Sequence, residues 1–256
     1  MKRILVTNDD GVRSEGIEAL AAALRRLGHV LVVAPAEEAS AVGHALTLHS
    51  PLRLDELAQD VYAVDGTPTD CVNIAVAILL KGLPDLIVSG INQGWNLGDD
   101  VTYSGTVSGA LEGALMGVPS IAVSLQRTRE PLDFKPAARA ASAMARRVLA
   151  NGLPARTFLN INVPRVVTGG FKVTVQAKRN HVTKVATRVD PKHRPYYWID
   201  EAMDEWEHNP QSDYRAAKDG FISVTPLQPD MTAHAALADL ETWVPELVLS
   251  KSRVLG

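Results

Sequence analysis

Short β-branched and aliphatic runs alternate with helix-period segments through the first two-thirds of the chain. Residues 4–7 (Ile-Leu-Val-Thr) form the pattern of a buried strand. Residues 16–27 then place Ile17, Leu20, Leu24 and Leu27 on one helical face, and Gly28 ends that helix. Residues 30–34 predict a second strand, stopped by Pro35. Residues 46–54 and 61–64 predict the short strands of a hairpin-like excursion. Thr67, Pro68 and Asp70 predict a helix start, as N-cap, first helical residue and capping-box acid, with the helix running to about residue 80. Strand patterns at 85–89, 120–125 and 158–163 alternate with helix patterns at 105–117 and 135–150. Such alternation implies an α/β, Rossmann-like fold, a mostly parallel sheet with helices on both faces.

The character changes after about Gly170. Residues 171–177 and 221–227 read as strands. Between them, residues 178–210 are polar and aromatic, with Tyr196, Tyr197, Trp198 and Trp206, and lack a helical period. This segment cannot build a core of its own. It predicts an extended hairpin arm or a surface that lies against a partner. The expected organisation is a core over 1–170 that carries the site, with 171–256 adding strands, arm and tail to the same domain.

The composition permits this fold and narrows the function. Of 256 residues, 46% are hydrophobic, enough for a large core. A formal net charge of −3 argues against general nucleic-acid binding. The single cysteine, Cys71, excludes an internal disulfide framework and suits a reducing cytoplasm. The apolar run near the start is too short for a signal peptide, and no apolar run is long enough to span a membrane.

Candidate chemistry gathers at the carboxyl ends of the predicted strands, where open α/β sheets bind ligands. Asp9 and Asp10 follow the first strand, Ser40 lies in the loop after the second, and Asn92 lies just past the third core strand. Two adjacent carboxylates repel unless a cation joins them. Two charged and two neutral oxygens suit one magnesium or manganese ion and do not suit structural zinc. Ser104, Gly105 and Thr106 open a helix, and helix N-termini bind phosphate through free N–H groups and the local dipole. A cation site and a phosphate cradle on one rim point to phosphoryl chemistry. His44, close behind Ser40 and Gly43, is a possible pocket residue.

These residues resemble the survival protein SurE family, metal-dependent nucleotidases. The matching stretches are ILVTNDDG, GTPTDCV, VSGINQGWNLGDDVTYSGTVSGALEGALMGVPSIAVS, DPKHRPYYWI and ISVTPLQPDMT. The resemblance implies metal ligands at Asp9, Asp10, Ser40 and Asn92, and phosphate contacts at Asn96, Ser104, Gly105 and Thr106. It implies an acid-phosphatase-like monoesterase acting on nucleoside 5′- and 3′-monophosphates, with short polyphosphate as a further substrate. It also implies association through the arm into a homodimer or homotetramer. One departure is plain: many members carry Arg-Ser-Gly near the second ligand, where this chain reads Glu38-Ala39-Ser40-Ala41-Val42-Gly43.

The alternatives are a receiver-like magnesium-binding signalling module without turnover and a small-molecule binding protein. A receiver needs a phosphoacceptor Asp after a later strand and a Lys after the last. Ser89-Gly90-Ile91-Asn92 and Ser124-Leu125-Gln126 offer neither.

Overall fold

The computed structural model describes residues 1–178, 184–200 and 206–243. Parts of the anticipated arm (179–183 and 201–205) and the tail from residue 244 lie outside the described residues. In chain order the strands are β1 (Arg3–Thr7), β2 (His29–Pro35), β3 (Leu54–Ala58), β4 (Val61–Val64), β5 (Leu86–Gln93) and β6 (Ser120–Leu125). They continue with β7 (Phe158–Val163), β8 (Phe171–Val173), β9 (Lys184–Val189), β10 (Pro195–Asp200) and β11 (Ile222–Leu227). One mixed sheet has the order β3-β4-β2-β1-β5-β6-β7-β11-β8. From β4 to β7 every pairing is parallel, while β3 and β11 run antiparallel to β4 and β7. Strands β9 and β10 form a separate antiparallel hairpin.

The central strands read as continuous apolar runs because helices hide both faces. Ile4, Val6, Val32, Val88 and Val123 pack with Ile17, Leu20 and Leu24 of α1 (Glu15–Leu24) and with Ala137 and Ala141 of α4 (Lys135–Asn151). The alternate residues Leu5, Leu31, Val33 and Ile87 face the other way, onto Cys71 and Val72 of α2 (Pro68–Ile74). On that same face α3 (Gly105–Leu115) lies beside α2 and sets Val107, Ala110 and Ala114 against Ala122 and Phe158. The period-two alternation of each strand thus divides one apolar run between two helical layers.

Several elements differ from expectation. The hairpin excursion exists, but its first strand begins at Leu54 instead of Leu46. Residues 46–53 are held by side chains and form no ladder. Helix α2 gives way after Ile74 to a π-helical turn, Ala75–Leu79. Of the strand expected over 171–177, Phe171–Val173 joins the sheet, and Val175 adds an isolated parallel bridge to Ser212. Two short helices, α5 (Asp213–Lys218) and α6 (Leu237–Trp243), were not foreseen. Trp206, grouped with the arm's aromatics by sequence, stacks on Tyr214 of α5 at 4.4 Å and 6°. It belongs to the body of the protein and not to the arm's exposed face. No helix among the described residues is long and apolar enough to cross a membrane.

The start of α2 explains how residues 46–53 are held without a ladder. Thr67 and Asp70 form the anticipated capping box, with Asp70 N–H donating to Thr67 Oγ1 at 3.1 Å and Thr67 N–H donating to Asp70 Oδ2 at 2.9 Å. The same carboxylate accepts from the Thr47 N–H at 2.9 Å and the Thr47 hydroxyl at 2.7 Å. Burial pushes the Asp70 carboxyl up, but the hydrogen bonds from Thr47 and Thr67 outweigh it and hold its pKa below the ordinary value. A depressed folded pKa contributes stability above the unfolded pKa that is lost as pH falls through the folded one. The melting-temperature gap between wild type and Asp70→Asn is therefore expected to be full near about pH 6 and to shrink towards about pH 3. A gap that widened on acidification would contradict the hydrogen-bonded carboxylate.

Candidate active site

Strand β1 lies between β2 and β5, so the chain leaves it towards one neighbour and later returns to the other. At such a switch point the carboxyl ends of the strands open a crevice. Thr7 stands opposite Ser89, so Asp10, just past β1, and Asn92, three residues further along β5, lie at the same edge of the sheet; Asn92 was expected just past its strand but is still within it, paired with Ser124. The loop after β2 is tied to this edge by the Ala39 N–H, which donates to Asp9 O at 2.8 Å. Asn8 shapes the turn: its amide donates to Gly11 O at 3.0 Å and to Ser14 Oγ at 2.7 Å, and Ser14 caps α1.

Helix α3 meets Asp9 end-on. A Cβ at Gly105 would lie 2.7 Å from Asp9 Cβ, so only glycine admits this approach. The Thr106 hydroxyl donates to Asp9 Oδ1, and the Thr106 backbone also acts on the carboxylate. Ser104 caps the helix, its hydroxyl oxygen accepting from Val107 N–H at 3.1 Å. The expected phosphate cradle and the expected metal ligands are therefore in direct contact. Burial pushes the Asp9 carboxyl up, with the Thr106 hydrogen bonds opposing it. Asp10 is pushed up to about 7, first by burial and then by the charges of Asp9 and Glu38; the Gln93 backbone and Arg127 act the other way.

The residues present fit a hard divalent cation. Asp10 Oδ2 is buried without a hydrogen-bond partner among the described residues. An ionised carboxylate buried in this way needs a proton or a cation. Asn92 donates from Nδ2 to Gly94 O at 2.9 Å, a bond that does not use its amide oxygen. Ser40 remains exposed and donates to Glu38 Oε1 at 2.6 Å, its lone pairs unused by that bond. No group of three or more His, Cys, Asp or Glu suited to a metal occurs among the described residues. The available donors are two acids and neutral oxygens, a set for magnesium or manganese.

Asn96 is buried, with its amide donating to Ser124 Oγ at 2.8 Å. His44 turns to α3, its Nε2 lying 2.7 Å from Glu112 Oε2, while Glu112 Oε1 accepts from the Asn73 amide at 2.7 Å. The pairing with His44, and then with Asn73, outweighs burial and holds the Glu112 pKa below its ordinary value. Sequence reasoning missed Glu38 and Arg127, the charges acting on Asp10, and the two asparagines of β7, Asn160 and Asn162. The asparagines left a signal, since they interrupt a strand that is buried at every residue.

Comparison with known proteins bears on the family and the fold. The family model described as "Survival protein SurE" matches residues 4–183. Relatives named 5′-nucleotidase SurE include one from Geobacter sulfurreducens, 54% identical over 243 residues that cover 94% of this chain and 93% of the relative. One from Geobacter metallireducens is 51% identical over 244 residues, covering 94% and 97% respectively. The crystal structure of the SurE protein from Aquifex aeolicus superposes with a TM-score of 0.85 at 43% identity, covering 94% of this chain and 99% of that one. The chain belongs to the SurE family.

Proposed function

We propose that the protein is a metal-dependent nucleotidase, hydrolysing nucleoside 5′- and 3′-monophosphates to nucleoside and phosphate. The proposal includes one magnesium or manganese ion per subunit and short polyphosphate as a further substrate. The observation that carries it is the buried Asp9–Asp10 pair, with an unpartnered oxygen, pressed against the start of α3. The relatives' name, 5′-nucleotidase, supports the nucleotide as substrate.

Asp9, Asp10, Ser40 and Asn92 would hold the ion, which would supply Lewis acidity towards a phosphate oxygen and lower the pKa of a water. Asn96, Ser104, Gly105 and Thr106 bind the phosphate, presenting N–H groups where negative charge builds. Thr106 fixes Asp9 through its hydroxyl, and Gly105 confines it. So held, Asp9 cannot swing out to attack phosphorus. Water is the nucleophile, and Asp9 helps to take its proton. The low exposure of Cys71, whose thiol burial pushes up, leaves no reactive thiol there, and a reducing cytoplasm suits the chain.

The arm completes the proposal. Tyr197, Trp198 and Ile199 of β10 and Val185 and Val189 of β9 are exposed, and an isolated hairpin is marginal in water. Tyr196 pairs with Arg188 and Trp198 with Ala186, so all four share one face; together with Ile199 they line an open cavity of about 530 Å³. A second copy of this chain is the occupant that fits, giving a homodimer or homotetramer.

Phosphate release from a nucleoside monophosphate, with and without a chelator, tests the function. Release that a chelator abolishes and manganese restores is expected; release indifferent to both would exclude the cation. Asp10→Asn keeps the shape and removes the charge. Calorimetric manganese affinity should fall at least about tenfold, and turnover by about 10²-fold or more, with the fold intact. Unchanged manganese affinity would remove Asp10 from the ligand set. In single-turnover hydrolysis in heavy-oxygen water, the label should enter phosphate directly; label in an aspartate would make that residue the nucleophile. Replacing residues 184–200 by a short Gly-Ser linker should shift light scattering towards monomer while manganese still binds. A wild type that is monomeric at micromolar concentration would sink the arm's role.

A further inference from the structure

We infer that Asn162 and Asp213 are positioning residues for the phosphate-binding loop. One holds Asn96 and the other Gly98, and together they clamp residues 94–103, which lead into Ser104. The inference rests on the phosphate role proposed above for that loop.

Asn162, at the carboxyl end of β7, is fully buried and gives both ends of its amide to one loop residue. Its Oδ1 accepts from Asn96 N–H at 2.8 Å, and its Nδ2 donates to Asn96 O at 3.1 Å. Asn160, two residues back on the same strand face, donates to the same carbonyl at 2.8 Å. Trp95 is fixed alongside by its indole N–H, which donates to Val163 O at 2.9 Å. The backbone of Asn96 is thereby locked, and its side chain is turned to Ser124.

Two residues later the grip passes to the C-terminal third. Gly98 N–H donates to Asp213 Oδ2 at 3.0 Å, and Gly98 O accepts from Gln176 Nε2 at 3.1 Å. Asp213 is itself fully buried and is fixed by Ala177 N–H at 3.0 Å and Tyr214 N–H at 2.7 Å on its other oxygen. Gly98 has φ of +52°, and a Cβ there would lie 2.6 Å from Ala177 O and 2.7 Å from the Trp206 ring. Buried polar side chains are costly unless their hydrogen bonds are made. Asn162 makes its bonds to the loop, and Asp213 divides its bonds between the loop and the segment that anchors it.

A clamp sets the fraction of molecules whose loop is ready to bind, and apparent affinity scales inversely with that fraction. Asn162→Ala should raise KM for adenosine 5′-monophosphate and the inhibition constant of inorganic phosphate by one common factor, about tenfold. Turnover at saturation should stay within about twofold, and manganese affinity should not change. Asp213→Asn should give the same split, and Gln176→Ala, altering a half-buried residue, a smaller one. Amide exchange over residues 96–98 should accelerate in all three. A lower melting temperature with unchanged KM and unchanged exchange would make these residues scaffold only and overturn the inference. If Asn162→Ala does not fold, Asp213→Asn and Gln176→Ala decide. If the wild type hydrolyses no nucleotide, the proposed function fails, while exchange and phosphate binding still judge the clamp: faster exchange with weaker phosphate binding upholds it, and unchanged exchange overturns it.

Discussion

The architecture turns on two carboxylates taken out of water at the end of one strand. Asp9 is buried, and Asp10 keeps a buried oxygen without a partner among the described residues. Unpaired buried charge costs several kcal/mol, so the surroundings must offset it or leave room for a cation. The start of α3 does the first for Asp9, through the hydroxyl and backbone of Thr106 and the positive end of the helix. For Asp10 the Gln93 backbone and Arg127 act in that sense, but they do not offset its burial and the charges of Asp9 and Glu38. That incomplete compensation, with an Asp10 oxygen left unpartnered among the described residues, is what supports the proposed cation at the pair.

The fold delivers these groups together because of strand order and not because of sequence proximity. Placing β1 between β2 and β5 brings the loop carrying Ser40 to one side of Asp9 and Asn92 to the other. Helix α3 then returns across the same edge, close enough that residue 105 must be glycine. A one-residue slip of β5 against β1 would turn Asn92 to the opposite face of the sheet. The apolar runs that fill both layers therefore hold the register that the site needs.

What was legible in the sequence is what local patterns record. The strands of the parallel core, the cap at Thr67 and the acid pair lie in short contiguous signals. The onset of β3 was misplaced because Thr47 is held by a side chain, Asp70, that sits 23 residues away. The π-helical turn after Ile74 leaves no mark in an apolar segment. Trp206 looked like an arm residue because composition cannot reveal its stacking on Tyr214. At the site, the donor types were readable, whereas the contact between Thr106 and Asp9 was not. That contact joins two features the sequence placed on one rim without touching, the expected cation site and the expected phosphate cradle.

The loop after β5 shows why a contiguous motif is not a self-sufficient one. Ordering each loop residue costs about 1–2 kcal/mol of backbone entropy. Within the loop, short turns such as Asp100 N–H to Leu97 O and Tyr103 N–H to Asp100 O at 3.1 Å offset only part of that. The other fixed points come from β7, from Gln176 and from α5, up to 115 residues away. The stretch that most strongly marks the family is thus shaped by residues far outside it. The arm's strands depart after Ala177 and return before Trp206, and both of these residues pack against Gly98. The exposed hairpin and the loop proposed to bind phosphate consequently meet at Gly98, where Ala177 O and the Trp206 ring close around it, so the C-terminal third shapes that loop together with the strands of the core.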